Sequence, residues 1–78
     1  MNEKKVYTVY GFPERLHSLI YSGYEWNPTT LAKAIGLNRK SIYRWLNGES
    51  APNIVYLMRL CDIFHISADW LIYGRGNK

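Results

Sequence analysis

Four cations, Lys33, Arg39, Lys40 and Arg44, fall between Trp26 and Gly48, a stretch of 23 residues with no acidic side chain. Ammonium and guanidinium groups clustered in this way project a positive field suited to a polyanion such as nucleic acid. The rest of the chain carries six basic and six acidic residues, so the whole formal excess of +4 arises in this stretch. Charge alone leaves a second reading open, a solvated helix face that happens to be basic. The other reactive side chains form weaker sets. Ser18 and Ser22 lie near His17, but nothing supplies the supporting pocket that a nucleophile and base need. Asp62, His65 and Asp69 carry metal-binding groups, yet no fourth ligand joins them, and His17 and His65 have no recognised spacing. The expectation is no metal, no cofactor and no enzymatic activity. Cys61 is the single cysteine. It cannot form an intramolecular disulfide, and its place on an apolar helix face suggests a buried core thiol rather than a redox switch.

The elements that position the basic stretch are legible from periodicity and caps. Pro13 fits the first turn of a helix, with Phe12, Leu16, Leu19 and Ile20 on one face and Gly23 at its end. Asn27-Pro28 begins a second helix, an N-cap side chain followed by a proline in the first turn. Leu31, Ala32 and Ile35 share its inner face, and Gly36 breaks it. Asn38 caps a third helix with Ile42, Trp45 and Leu46 directed inward, stopped by Asn47-Gly48. Pro52-Asn53 opens a fourth, with Ile54, Leu57, Leu60, Cys61 and Phe64 on its apolar side. Ser67 caps a short fifth from Ala68 to about Tyr73, and residues 75–78 read as a loose tail. Trp45 and Trp70 are expected in the core, and Trp26 as an apolar staple before the second helix. Residues 1–11 differ in kind: Val6, Thr8 and Tyr10 alternate with Tyr7 and Val9, the period of a strand or of a flexible arm.

The chain has 78 residues, the size of one domain, and 47% of them are hydrophobic, enough for a compact core. No stretch approaches the roughly 18 apolar residues of a membrane span, and no apolar signal core follows the N-terminal Met1-Asn2-Glu3-Lys4-Lys5. A cytoplasmic protein without a membrane partner is expected.

Residues 28–47 form a unit in which two short helices meet over a tight turn. Apolar Leu31, Ile35, Leu37, Ile42 and Trp45 supply the inner faces, Ala32 allows close approach, and Gly36 is free to take positive φ. At this point the sequence resembles the helix-turn-helix of the phage-repressor and Cro family, also called XRE-like. The string Leu37-Asn38-Arg39-Lys40-Ser41-Ile42-Tyr43-Arg44-Trp45-Leu46-Asn47-Gly48 is close to the family's recognition helix and its exit. The segment Ile66-Ser67-Ala68-Asp69-Trp70-Leu71 resembles the family's last helix, and the likeness extends over about residues 12–74. It implies an all-α, five-helix, lambda-repressor-like DNA-binding domain with a short N-terminal extension.

The resemblance further implies that the third helix enters the major groove of double-stranded DNA. Its outward side chains then become the reading surface: Asn38, Arg39, Lys40, Tyr43 and Arg44 toward bases. Arg39 and Arg44 can each donate two parallel bonds to guanine O6 and N7. Lys40 acts as a point charge, and Tyr43 offers a hydroxyl and a flat apolar face. Asn27, Thr29, Thr30 and Asn47 are the expected phosphate contacts. Relatives often carry Gln where Pro28 stands, and proline cannot donate. Many carry an Arg–Glu pair at the positions of Ile20 and Leu46, and both are apolar here. The turn around Gly23-Tyr24-Glu25 holds one extra residue. His65 stands where relatives often have Gly, so it is expected in a left-handed conformation. The implied function is sequence-specific transcriptional regulation of the repressor type, as a homodimer on an inverted repeat. The Trp70, Ile72, Tyr73 cluster and the N-terminal segment are the candidates for self-association. The alternative is a protein-interaction module, such as the antitoxin of a toxin–antitoxin pair, with a protein partner.

Overall fold

The computed structural model describes residues 11–78, and the strand-like alternation of residues 6–10 lies outside them. Five helices follow in order: α1 (Phe12–Tyr21), α2 (Pro28–Ile35), α3 (Arg39–Leu46), α4 (Ile54–Phe64) and α5 (Ala68–Tyr73). No strand occurs among the described residues.

Four of the five helices begin at a side-chain cap. Asn27, Asn38, Asn53 and Ser67 accept from the backbone N–H of Thr30, Ser41, Tyr56 and Trp70 respectively. Each cap satisfies one of the N–H groups that a helix start leaves unpaired. The helix ends are equally local. Gly36 (φ 85°) and His65 (φ 55°) are left-handed, and their N–H groups turn back to Ala32 O and Cys61 O. His65 is the one non-glycine residue with positive φ among those described. Its left-handed conformation matches the expectation from the sequence.

The helices bury Phe12, Leu16, Ile20, Leu31, Ala32, Ile35, Ile42, Trp45, Leu60 and Leu71 in a single core. Helix α3 packs on α2 and on α1, α1 also meets α5, and α4 rests on α5 and α2. The ring of Trp26 meets Phe64 edge-on at 5.6 Å, which ties the entry of α2 to the end of α4.

Two arginines hold helix ends together across the fold. The Arg15 guanidinium donates to the carbonyls of Leu71 (2.9 Å) and Ile72 (2.8 Å), the orphan acceptors at the end of α5. It reaches them between Gly11 and Gly74, where an added Cβ would stand 2.9 and 2.8 Å from its Nη1. Arg59 on α4 donates to Ile35 O at the end of α2 at 2.7 Å and lies over the Tyr56 ring.

Two expectations need correction. The sequence places Ile54 on the apolar side of α4, but it is 68% exposed. Helix α4 begins before the core does: of its 11 residues only Leu60 is fully buried. Cys61 is half-buried rather than enclosed. Partial burial, and then the neighbouring Asp62 charge, push its thiol pKa above the ordinary value. Two contacts involve the exposed tail after Gly74. Ser67 Oγ donates to Asn77 O, and the Lys78 ammonium lies over the Trp70 ring.

Candidate nucleic-acid interface

The basic stretch folds as α2, a three-residue turn and α3. The turn works because Gly36 accepts the left-handed conformation and Leu37 N–H also returns to Ala32 O. Ile42 and Trp45 anchor α3 in the core. With a period of 3.6, fixing these two inward fixes the residues that face out. Asn38, Arg39, Lys40, Tyr43, Arg44 and Asn47 are all exposed. Five of the six lie within two turns and carry donors to anions or base edges, and the sixth, Asn47, closes the helix.

Their freedom differs. Arg39 and Lys40 occupy the first turn of α3, beside backbone N–H groups and the positive end of the helix dipole. No acidic side chain stands in that turn. The side-chain oxygen of Asn38 is taken by Ser41 N–H at 3.2 Å, so its amide group is left to donate outward. Arg44 Nε lies 4.0 Å from Glu49 Oε1, with both side chains well exposed. Such a pair is weak and screened by salt. The Asn47 N–H returns to Tyr43 O and Trp45 O as the helix closes.

The start of α2 presents less than the sequence suggests. Asn27 Oδ1 accepts from Thr30 N–H, while Thr30 Oγ1 accepts from Asn27 N–H and donates to Asn27 O. This reciprocal capping box consumes most polar groups of the turn. Pro28 is buried and has no N–H. The Thr29 N–H and hydroxyl, and the Asn27 amide, stand outside the box.

Sequence reasoning missed the Glu49 partner of Arg44. The signal was the Asn47-Gly48 pair: Gly48 takes φ 74°, and Glu49 N–H bonds Arg44 O at 2.9 Å, bringing the acid back to the end of α3. It gave Arg15 and Arg59 no role beyond the charge count, although both close helix ends. The segment between α1 and α2 bends through residues 22–25, with Tyr24 fully in solvent. Among the described residues no group of three His, Cys, Asp or Glu side chains stands close enough to hold a metal ion. No helix among them is long and apolar enough to cross a membrane.

A short helix-turn-helix with a basic outer face defines a DNA-binding module of the transcription-regulator class. Comparison with known proteins agrees. The chain matches the helix-turn-helix family model over residues 25–71 and belongs to the XRE-type helix-turn-helix family. It is 30% identical over 66 residues to an uncharacterized HTH-type transcriptional regulator of Haemophilus influenzae. That match covers 82% of this chain and 26% of the relative, so the chain spans about a quarter of that protein. The fold is similar to the solution structure of the SOS-response transcriptional repressor LexA from Eubacterium rectale. The TM-score is 0.74 at 28% identity, covering 91% of this chain and 70% of the other.

Proposed function

We propose that this protein is a sequence-specific transcriptional regulator of the repressor type. It reads the major groove with residues 38–47 and has no catalytic role. The observation that carries the reading is the outer face of α3. Arg39, Lys40, Tyr43 and Arg44 are exposed together while Ile42 and Trp45 lock the helix in place. Arg39 and Lys40 head the helix and are assigned to base edges, with Asn38, Tyr43 and Arg44 beside them. Asn27, Thr29, Thr30 and Asn47 are assigned to phosphates. Thr29 leads that set because the capping box occupies its neighbours. The likeness to a repressor's domain supports repression over activation. One recognition helix spans only a few base pairs, so two copies on an inverted repeat, about 34–36 Å apart, provide enough specificity.

Selection from a random duplex library, followed by titration of the winner against scrambled DNA across a salt series, tests this. A palindromic winner bound on the order of 10³-fold tighter than scrambled DNA is the expected result. Sequence-blind binding that disappears as salt rises would leave only the electrostatic contribution and overturn the specific reading. The second reading, a protein-interaction module such as an antitoxin, draws on Ile54, Val55 and Met58, which stand exposed on α4.

A further inference from the structure

Helix α3 ends in a closed turn that brings two side chains together. Gly48 N–H bonds Trp45 O at 3.2 Å and Glu49 N–H bonds Arg44 O at 2.9 Å, with Gly48 left-handed at φ 74°. These two bonds make a Schellman motif, whose geometry sets the side chain of its last residue beside that of its first. That contact is commonly apolar. Here it joins the Glu49 carboxylate to Arg44, with Oε1 4.0 Å from Nε. The pair is therefore built by the backbone and does not depend on two long side chains meeting by chance. The other outward cations of α3, Arg39 and Lys40, stand in a first turn without an acid, whereas the end of the helix supplies a carboxylate to Arg44.

The atom that Glu49 approaches decides what Arg44 has left to offer. A guanidinium donates from Nε and from both Nη atoms. Guanine O6 and N7 take two parallel donors, and the edge formed by Nη1 and Nη2 stays open when a carboxylate stands at Nε. A phosphate is drawn instead by net positive charge, which a neighbouring carboxylate offsets. We propose that Glu49 is a positioning residue for sequence specificity. By standing at Nε it aims the Nη edge of Arg44 at a guanine and withholds Arg44 from indiscriminate phosphate contact. Glu49 itself touches no base in this arrangement and acts through Arg44. The inference rests on the DNA-binding function proposed above and deepens it. The side chains of Arg44 and Glu49 are 63% and 47% exposed, so the pair is weak. That weakness suits the task, because the carboxylate biases the guanidinium without locking it away from a duplex.

The first experiment uses no DNA. In nitrogen–proton NMR spectra of the arginine Nε–H groups, the Arg44 signal should move in Glu49→Gln while that of Arg39 stays still. Glu49 joins the Schellman motif through its backbone N–H, so the variant should melt as the parent does. An unmoved Arg44 signal would show that the two side chains do not pair and overturn the proposal. The second experiment measures affinity for the selected and the scrambled duplex across a salt series. Glu49→Gln should tighten binding to scrambled DNA more than to the selected duplex, lowering their affinity ratio by up to about fivefold, the worth of one exposed pair. The salt slope on scrambled DNA should steepen by about 0.9, the increment for one more phosphate contact. Guanine preference at one base pair should relax. In an Arg44→Ala background Glu49→Gln should change neither the ratio nor the preference. A parent that discriminates between duplexes, with an unchanged ratio in Glu49→Gln, would sink the proposal and leave the DNA reading standing. Persistence of the effect in Arg44→Ala would sink it too. A parent that binds no duplex would sink the DNA reading itself, and this inference with it.

Discussion

Helices α3 and α4 distribute the same residue types in opposite ways. On α3 the apolar Ile42 and Trp45 are buried and the cations face solvent. On α4 the apolar Ile54, Val55 and Met58 face solvent, while the cation Arg59 reaches across to a backbone carbonyl of α2. A helix with a polar outer face is finished as a surface for water and anions. A helix with an apolar outer end leaves surface in water that burial would favour. The comparison teaches that residue type alone assigns neither role: an arginine faces solvent on α3 and closes a helix end on α4.

The sharpest way to break this comparison is to truncate one isoleucine from each helix. Ile42→Ala should cost about 2–5 kcal/mol because it opens a cavity in a filled core. Ile54→Ala should change stability by under about 0.5 kcal/mol, since its side chain loses few contacts. Urea denaturation of the two variants measures both. Equal losses would mean that α4's first turn is covered after all.

The two arginine roles separate next. Arg59→Ala should lower stability by about 1–2 kcal/mol, a charge-assisted bond discounted for partial exposure. It should leave relative affinities for different duplexes unaltered. Arg39→Ala should do the reverse, losing about 1–3 kcal/mol of specific binding and relaxing preference at one base pair, with the melting curve unmoved. Arg44 sits between these cases because Glu49 competes for it. Glu49→Gln should therefore tighten DNA binding most at low salt, and the gain should fade as salt rises. A gain independent of salt would show that Glu49 acts through something other than its charge.

How much of this was legible in the sequence follows from whether the cause is local. Asn27, Asn38, Asn53 and Ser67 cap helices through bonds that span three residues, so short windows reveal them. The outward set on α3 follows from Ile42 and Trp45 by periodicity. Arg15 acts over 56 residues in sequence and Arg59 over 24, so a tally of charge reveals neither role. The error at Ile54 has a related origin. Periodicity gives the face of a helix, but it does not give how far along the helix its neighbours extend. In the first turn of α4, Tyr56 and Leu57 pack against the core while Ile54 and Val55 stand exposed at its start.

The smallest effect compares two helix ends built the same way. Helices α2 and α4 both close on a left-handed residue whose N–H turns back four positions, Gly36 in one and His65 in the other. Glycine takes that conformation without steric cost, whereas histidine holds its Cβ against the following carbonyl. His65 is exposed, so its side chain contributes little packing in return. His65→Gly should thus relieve backbone strain, offset in part by the greater freedom of glycine in the unfolded chain. A net stabilisation of about 0.5–1 kcal/mol is expected, seen as a raised thermal midpoint. Gly36→Ala should move the other way, because an alanine there takes the strained conformation and also sets its Cβ 3.3 Å from the Arg59 guanidinium. If His65→Gly proved destabilising, the imidazole would have to contribute a contact at the end of α4, and the two ends would not be equivalent.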